Sequence, residues 1–400
     1  MLFLISLPAG FAFPFEFNMS LSSTIKFWIR QFPFIYPREL IYSCKEWIDK
    51  QHRHKGLYFG QRGTWYKDIF PADFLHNPAP QTLGTPNEQA FFNNRSYLTP
   101  IATLFCLQNT FLLGHKGLIL SSDHRVFEEF SHHFGISSLR RFFQKNPFHI
   151  VTGGFRKMNG IGAVLISPES QNYYHWLNDV LPRIKLYEAV FDQVDHFCVS
   201  SNVPQKFLEI LDAFGIPAEK IVVVQENEKL HFDYLFVSSL PGSEGRSPRW
   251  AADYLRDKLI KGPTEAHPVK KLYFKRGNSP KRNILNEESL VLKLQNEGFD
   301  IIDPGGLSIP EQIELMQQAK IVVSAHGAAL SNLLFTPDKT TVIELFSPDY
   351  FRTDCYYTLS EIGGLNYWYV TGTKPAGANW GDIAVDEDLL LKTIHQANAG

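Results

Sequence analysis

Three short stretches hold residue types that chemistry would need. The first is Asn172-Tyr-Tyr-His175-Trp176-Leu-Asn-Asp179-Val-Leu-Pro182-Arg183. His175, Asp179 and Arg183 are spaced four apart, so on a helix they share one face. A base, an acid and a cation on one stripe can position and deprotonate a hydroxyl. A solvated face with an ordinary ion pair has the same spacing, and spacing alone does not choose between them. Pro182 removes one helical hydrogen bond at a cost of about 3 kcal/mol, so a kink is expected there. The second stretch runs from Tyr273 to Asn283 and contains Lys275, Arg276, Lys281 and Arg282. Arg276 has the planar fork that grips phosphate oxygens, with Lys281 and Arg282 adding charge. A plain solvated basic loop is the competing reading.

The third stretch runs from Ile321 to Pro348. An apolar run ends in Ser324, then Ala325-His326-Gly327-Ala328-Ala329 supplies small side chains around one histidine, and Leu330-Ser-Asn332 starts a short helix. Small residues between strand and helix let an anion approach backbone N–H groups. His326 would donate to a diphosphate oxygen or lie beside a sugar. Alternatively it caps the backbone of a tight turn. Glu344 lies in an apolar strand, where a carboxylate needs a partner, either a ligand ribose or a neighbouring strand.

Those residues need elements to hold them. Around residues 102–120 alternating apolar positions predict paired strands with a turn at His115-Lys116. From Gly160 the chain takes a β-α rhythm: strands at 163–166, 196–200, 221–224 and 234–238, and helices at 174–190 and 204–214, the last ended by Gly215. A linker over 241–267 encloses a helix at 250–260. The rhythm restarts with strands at 271–275, 299–302, 321–324 and 341–346. One helix begins after Asn286 as N-cap, and another follows the capping box Ser308/Glu311. The pattern predicts two parallel sheets in an α/β chain: two Rossmann-like domains facing a cleft, at 96–245 and 246–400, after an irregular N-terminal extension at 1–95.

Composition narrows the function. The chain has 400 residues, a net charge of −2 and no long basic block, so a nucleic-acid partner is not expected. Its four cysteines form no C-x-x-C pair, which argues against a zinc site or redox dithiol. Residues 2–15 are apolar but broken by Pro8 and Pro14, and too short for a spanning helix; they read as a mistaken upstream start or a disordered lead ahead of Met19, with a weak membrane or secretion signal as the alternative. There is no G-x-x-x-x-G-K-[ST], G-x-S-x-G or H-E-x-x-H, and no D-x-D at a predicted strand end. Any leaving diphosphate would then be held by cations and backbone donors, without a metal.

Taken in order, Asn172-x-x-His175-Trp176-x-x-Asp179-x-Leu-Pro-Arg183, Tyr273-x-x-Arg276, His326-Gly-Ala-x-Leu-x-Asn332 and Val-Ile-Glu344-Leu resemble glycosyltransferase family 61, over roughly residues 100–372. The resemblance implies a GT-B architecture and an inverting, metal-independent transfer from a nucleotide-sugar, a UDP-sugar by expectation, to a glycan or polysaccharide hydroxyl. It carries Arg276, His326, Gly327, Asn332 and Glu344 over to the donor, and the basic loop and the small-residue turn add Lys281, Arg282, Ser324 and Ala328. Asn172, Trp176 and Arg183 go to the acceptor or its support. Asp179 is the expected general base, with His175 as its orienter or as the base itself. No cofactor or metal is expected. The bacterial capsule and exopolysaccharide branch is the nearer likeness, which implies a cytoplasmic place, peripheral to a membrane assembly machinery. The competing reading is a catalytically silent nucleotide- or glycan-binding scaffold.

Overall fold

A computed structural model of the chain describes residues 40–52, 63–130, 155–243, 245–262, 268–276 and 281–399. The apolar lead before Met19 lies outside them. In chain order the first half holds β1 (Leu40–Ile41), α1 (Cys44–His52), β2 (Trp65–Phe70), β3 (Phe74–His76), α2 (Glu88–Arg95), β4 (Ser96–Leu98), β5 (Ala102–Leu113), β6 (Leu118–Leu120), β7 (Val126–Phe127) and β8 (Arg156–Leu165). Then come α3 (Tyr173–His175), α4 (Arg183–Tyr187), β9 (His196–Ser200), α5 (Gln205–Leu208), β10 (Ile221–Val224) and β11 (Lys229–Ser238). The second half holds α6 (Arg249–Leu259), β12 (Lys270–Phe274), α7 (Glu287–Asn296), β13 (Phe299–Ile302), α8 (Ile309–Gln317), β14 (Ala319–Ala325), β15 (Thr341–Phe346), α9 (Tyr356–Ile362), β16 (Asn366–Thr371) and α10 (Glu387–Ala399).

The first sheet has the order β1-β7-β6-β5-β11-β8-β9-β10, with β2 also on β5. β8, β9, β10 and β11 run parallel, as the β-α rhythm predicts. β5 is antiparallel to β11, β6 and β2, so the sheet is mixed and not the parallel sheet expected. For β6 the reason is local, whereas β11 and β2 reach β5 from far along the chain. Gly114 and Gly117 take left-handed φ values of 65° and 72°, and the tight turn between them folds β6 back on β5.

The second sheet is wholly parallel, in the order β13-β12-β14-β15-β16. Its first strand, β12, lies between the second and the third, so the chain leaves it to one side and later returns on the other. That reversal is a topological switch point, and in open α/β sheets ligands bind outside the strand carboxyl ends at such a point. The loops leaving β12 and β14 there carry Arg276 and His326.

The two sheets share one apolar core. It runs from Ala163, Leu165, Phe197 and Val199 of the first sheet through Trp176, Leu177 and Phe207 to Leu272, Phe274 and Val322 of the second. Polar ties cross the same boundary: Tyr173 Oη donates to Asn332 Oδ1 at 2.7 Å, and Tyr174 Oη donates to the Gly245 carbonyl. Among the described residues no helix is long and apolar enough to cross a membrane.

The described parts of residues 1–95 are ordered into elements of both halves. β1 and β2 join the first sheet. The Pro- and Asn-rich stretch after residue 77 crosses to the second, where Gln81 N donates to Tyr367 O at 3.2 Å and Tyr369 N to Gln81 O at 2.9 Å. This strap covers the β16 edge, which would otherwise offer unpaired backbone groups. α2 comes next, capped by Asn87. Its Phe91 is fully buried against the rings of Phe346, Phe351, Tyr357, Tyr367 and Tyr369.

Candidate active site

The helix expected at 174–190 is interrupted. Asn172 Oδ1 accepts from Tyr174 N and caps α3, and a π-helical turn, Trp176–Val180, comes after it. Leu181 N donates to Trp176 O at 3.0 Å, one residue farther back than in an α-helix. A wider turn just ahead of Pro182 relieves the contact between the proline ring and the preceding carbonyls, and α4 starts afresh at Arg183. At Pro182 the expected helix is thus broken by a π turn and a restart.

The wider turn keeps His175 and Asp179 together and removes Arg183 from their face. His175 Nδ1 and Asp179 Oδ2 are 2.6 Å apart, with side chains 25% and 14% exposed. Burial opposes the charged imidazole, but the hydrogen bond and charge of Asp179, with Glu169, outweigh it and raise the His175 pKa, while Arg352 pulls the other way. Arg183 is buried and donates from Nη1 to the Ile166 carbonyl at 2.8 Å, so it supports the end of β8 and does not complete a polar stripe. Trp176 is likewise wholly inside the core, with no face for an acceptor.

Across from this pair lies a second one. β14 ends at Ala325, and His326 N donates to Leu345 O at 3.0 Å, which seats the turn against β15. His326 Nδ1 is 2.6 Å from Glu344 Oε1, and Glu344 Oε2 accepts from Tyr367 Oη at 2.6 Å. Glu344 is 0% exposed. It has no surface toward a ribose, and its two oxygens hold His326 and Tyr367 instead; the cross-strand partner won. The His326 ring is packed by Phe346, Tyr350 and Tyr356 at centroid distances of 5.7, 5.3 and 5.0 Å. Tyr356 meets Tyr174 at 5.7 Å, and Tyr174 meets His175 at 5.5 Å. Two histidine–carboxylate pairs, one from each half, are therefore joined through two buried tyrosines.

The basic loop flanks the second pair. Gly327 is extended (φ −179°, ψ 161°), so its backbone suits any residue; a Cβ there would overlap Arg276 Nη1 and push that guanidinium aside. The guanidinium thus lies on the small-residue turn. Arg276 N donates to Glu287 Oε1 at 2.9 Å and Nη2 to the Lys281 carbonyl at 3.1 Å, and its buried Nε has no partner. Burial, and then neighbouring Arg282, pull its pKa down to about 10. Arg282 sits at φ 63°, a left-handed strain of about 1 kcal/mol for a residue with a Cβ, with its guanidinium 5.0 Å over the Tyr350 ring. Among the described residues neither arginine is in an ion pair with a carboxylate. Two adjacent cations that form no side-chain ion pair, with Glu287 and Asp382 acting on Arg276 only from farther off, make at a switch point a site for an anion.

The remaining expected residues are accounted for locally. Ala328 is half-buried and opens the 3-10 helix Ala328–Phe335, whose first N–H groups come directly after Gly327. Ser324 Oγ donates to the Ala325 carbonyl, so it serves the turn. Asn332 is buried, accepting from Tyr173 and donating to Gln312 Oε1 and Ala329 O, which makes it a tie between the halves and not a ligand contact. Lys281 is exposed beside Trp380, its Nζ 5.8 Å over that ring. Residues 277–280 lie outside the described residues. Asn286 starts α7 without a side-chain cap; its amide instead holds Val385 and Glu387 at the start of α10. Sequence reasoning missed Tyr174, Tyr350, Arg352, Tyr356 and Trp380. Only Tyr350 carried a usable signal, since it lies just past the carboxyl end of β15.

Comparison with known proteins agrees with this region. Residues 173–343 match the family described as Glycosyltransferase 61, with Asn172 and Glu344 standing just outside the two ends. Over 89 residues the chain is 29% identical to an EGF domain-specific O-linked N-acetylglucosamine transferase of Drosophila melanogaster, covering 22% of this chain and 17% of that protein. Over 97 residues it is 35% identical to the Homo sapiens protein O-linked-mannose beta-1,4-N-acetylglucosaminyltransferase 2, covering 22% of this chain and 16% of the relative. The mouse EGF domain-specific transferase gives 33% over 100 residues, 24% of this chain and 18% of its own. The chain thus spans less than a fifth of the length of these curated relatives. Residues 173–343, which contain Arg276, His326 and the His175–Asp179 pair, thus form a region that matches glycosyltransferase family 61.

Proposed function

We propose that the chain is an inverting, metal-independent glycosyltransferase that moves a sugar from a nucleoside-diphosphate sugar, by preference a UDP-sugar, to a glycan hydroxyl. The observation that carries this reading is the adjacent Arg276–Arg282 pair, without a side-chain ion pair, whose Arg276 guanidinium is laid against Gly327 beside His326. Arg276 and Arg282, with the backbone N–H groups after Gly327, hold the donor diphosphate and take up the negative charge that grows on it as the sugar leaves. His326, fixed by Glu344, presents its other nitrogen to the same oxygens. The relatives' names specify N-acetylglucosamine transfer and support a sugar donor, and the O-linked mannose of one name supports a glycan acceptor.

His175 is the general base in this reading, and Asp179 orients it. Asp179 lies on Nδ1, so neutral His175 holds its proton there and accepts through Nε2. The acceptor hydroxyl gives its proton to Nε2 as its oxygen bonds to the anomeric carbon. The carbon–oxygen bond to the diphosphate breaks on the opposite side, and both electrons leave with the nucleotide. Asp179 stabilises the imidazolium. The greater exposure of His175 and its raised pKa favour it over Asp179 as base.

The test is to screen nucleotide-sugars for binding and for release of free nucleotide, using wild type and His175→Ala. The expected result is donor binding by both and turnover by wild type alone, with candidate glycans supplied. Binding without turnover by wild type points to a silent scaffold, and no binding by wild type sinks the donor site.

A further inference from the structure

Three loops beyond the strand ends of the second sheet meet at one exposed indole. Trp380 is 48% exposed, on the segment between β16 and α10. That segment is pinned from several sides. Asn283 N donates to Asp382 Oδ1 at 2.7 Å, and Ile383 N donates to Asn283 O at 3.0 Å. Thr373 and Ala384 exchange backbone hydrogen bonds, and Lys374 pairs with Asp349. Gly381, beside the indole, takes φ +82°, and a Cβ there would lie 2.6 Å from Arg282 Cγ, so glycine is needed for both conformation and space. Tyr350 meets Trp380 at 4.9 Å with an interplanar angle of 67°. The Lys281 ammonium is 5.8 Å over the indole, and the Lys281 carbonyl accepts from Arg276. An exposed, rigidly held aromatic face is therefore continuous with the cations assigned to the diphosphate.

We propose that Trp380, braced by Tyr350, is the stacking platform for the nucleobase of the bound nucleoside diphosphate. This rests on the donor reading above and adds the part of the ligand that Arg276 and Arg282 do not reach. A nucleobase is a flat π-system that gains by covering an exposed indole, while the diphosphate at its other end draws Lys281 and Arg282. Leaving a large aromatic side chain half in water is costly, and a ligand face that covers it recovers that cost.

Calorimetric titration of wild type, Trp380→Ala and Trp380→Leu with UDP, CDP, ADP, GDP and inorganic pyrophosphate tests this. Thermal melting confirms that each variant is folded, and Trp380→Leu keeps apolar bulk should the alanine variant fail. Stacking of one base on an aromatic ring predicts a loss of roughly 5- to 100-fold in nucleoside-diphosphate affinity in both variants. Pyrophosphate affinity stays unchanged, and Trp380→Phe recovers most of the loss. Equal nucleotide binding by wild type and variants overturns the platform and leaves the donor site standing. Equal loss of nucleotide and pyrophosphate also overturns it, since the indole then supports the phosphate loop. Normal nucleotide binding with lost transfer overturns it in favour of an acceptor contact. Failure of wild type to bind any of the nucleotides overturns the donor reading as well.

Discussion

Asp179→Asn keeps the side-chain size and removes its charge, and the cost of that exchange can be worked from the geometry. The carboxylate lies 2.6 Å from His175 Nδ1, at a site only partly open to water. Burial alone would lower the His175 pKa; the Asp179 hydrogen bond and charge, helped by Glu169, reverse it. A hydrogen bond to a charged group is worth about 1.5–3 kcal/mol and a neutral one about 0.5–1.5, so the exchange costs the charged imidazole roughly 1–1.5 kcal/mol. Linkage gives the sign. Because the folded pKa is raised, the charged pair's contribution is fully present below the unfolded value near ~6.5 and is lost as pH rises through the folded pKa. Urea unfolding should therefore find Asp179→Asn less stable than wild type by roughly 1 kcal/mol near pH ~5.5, with a smaller difference near pH ~9. The His175 imidazole, tracked by NMR and assigned with His175→Gln, should titrate at lower pH in the variant. The acid limb of nucleotide release should move down with it and reach a lower plateau. An unmoved His175 titration, or the same stability deficit at both pH values, refutes the coupling. Complete loss of turnover with no movement of the limb returns the base role to Asp179.

Packing sets two further outcomes. Gly327→Ala should fold normally, because its extended backbone accepts any residue, yet bind nucleoside diphosphate about tenfold more weakly, the equivalent of one charge-assisted hydrogen bond lost as Arg276 is displaced. Calorimetry reads this, and wild-type affinity in the variant would mean Arg276 does not need that seat. Phe91→Ala should lose about 3–5 kcal/mol in denaturant unfolding, since it empties a ring-sized volume between α2 and the second sheet. A loss below about 1 kcal/mol would show that the strap and α2 are not integral to that half.

Much of the second half was legible in the sequence because its signals are local. Gly298 takes φ 79° just past α7, Ser308 and Glu311 form the expected capping box, and β13 and β15 have the predicted bounds. Apolar runs, capping residues and glycines act within a few positions of themselves, so one chain reveals them. The first half was harder. Its mixed sheet depends on which strand lies beside β5, a long-range choice that periodicity does not encode. Residues 63–95 read as irregular because their partners are far away in sequence: Phe91 and Gln81 find theirs on β15 and β16.

The sequence by itself determined the chemical inventory: a histidine four residues before an aspartate, a basic loop after one strand, and a histidine in a small-residue turn after another. Only the tertiary structure decided which of these residues face one another. It took Arg183 out of the polar face, because a π turn ahead of Pro182 breaks the four-residue spacing. It turned Glu344 from a ligand contact into the buried partner of His326, because parallel pairing of β14 with β15 places Ser324 opposite Glu344 and the turn just beyond. It also brought in Tyr174, Tyr356 and Trp380. Their places in the site come from contacts across long chain separations, which the order of residues along one segment cannot specify.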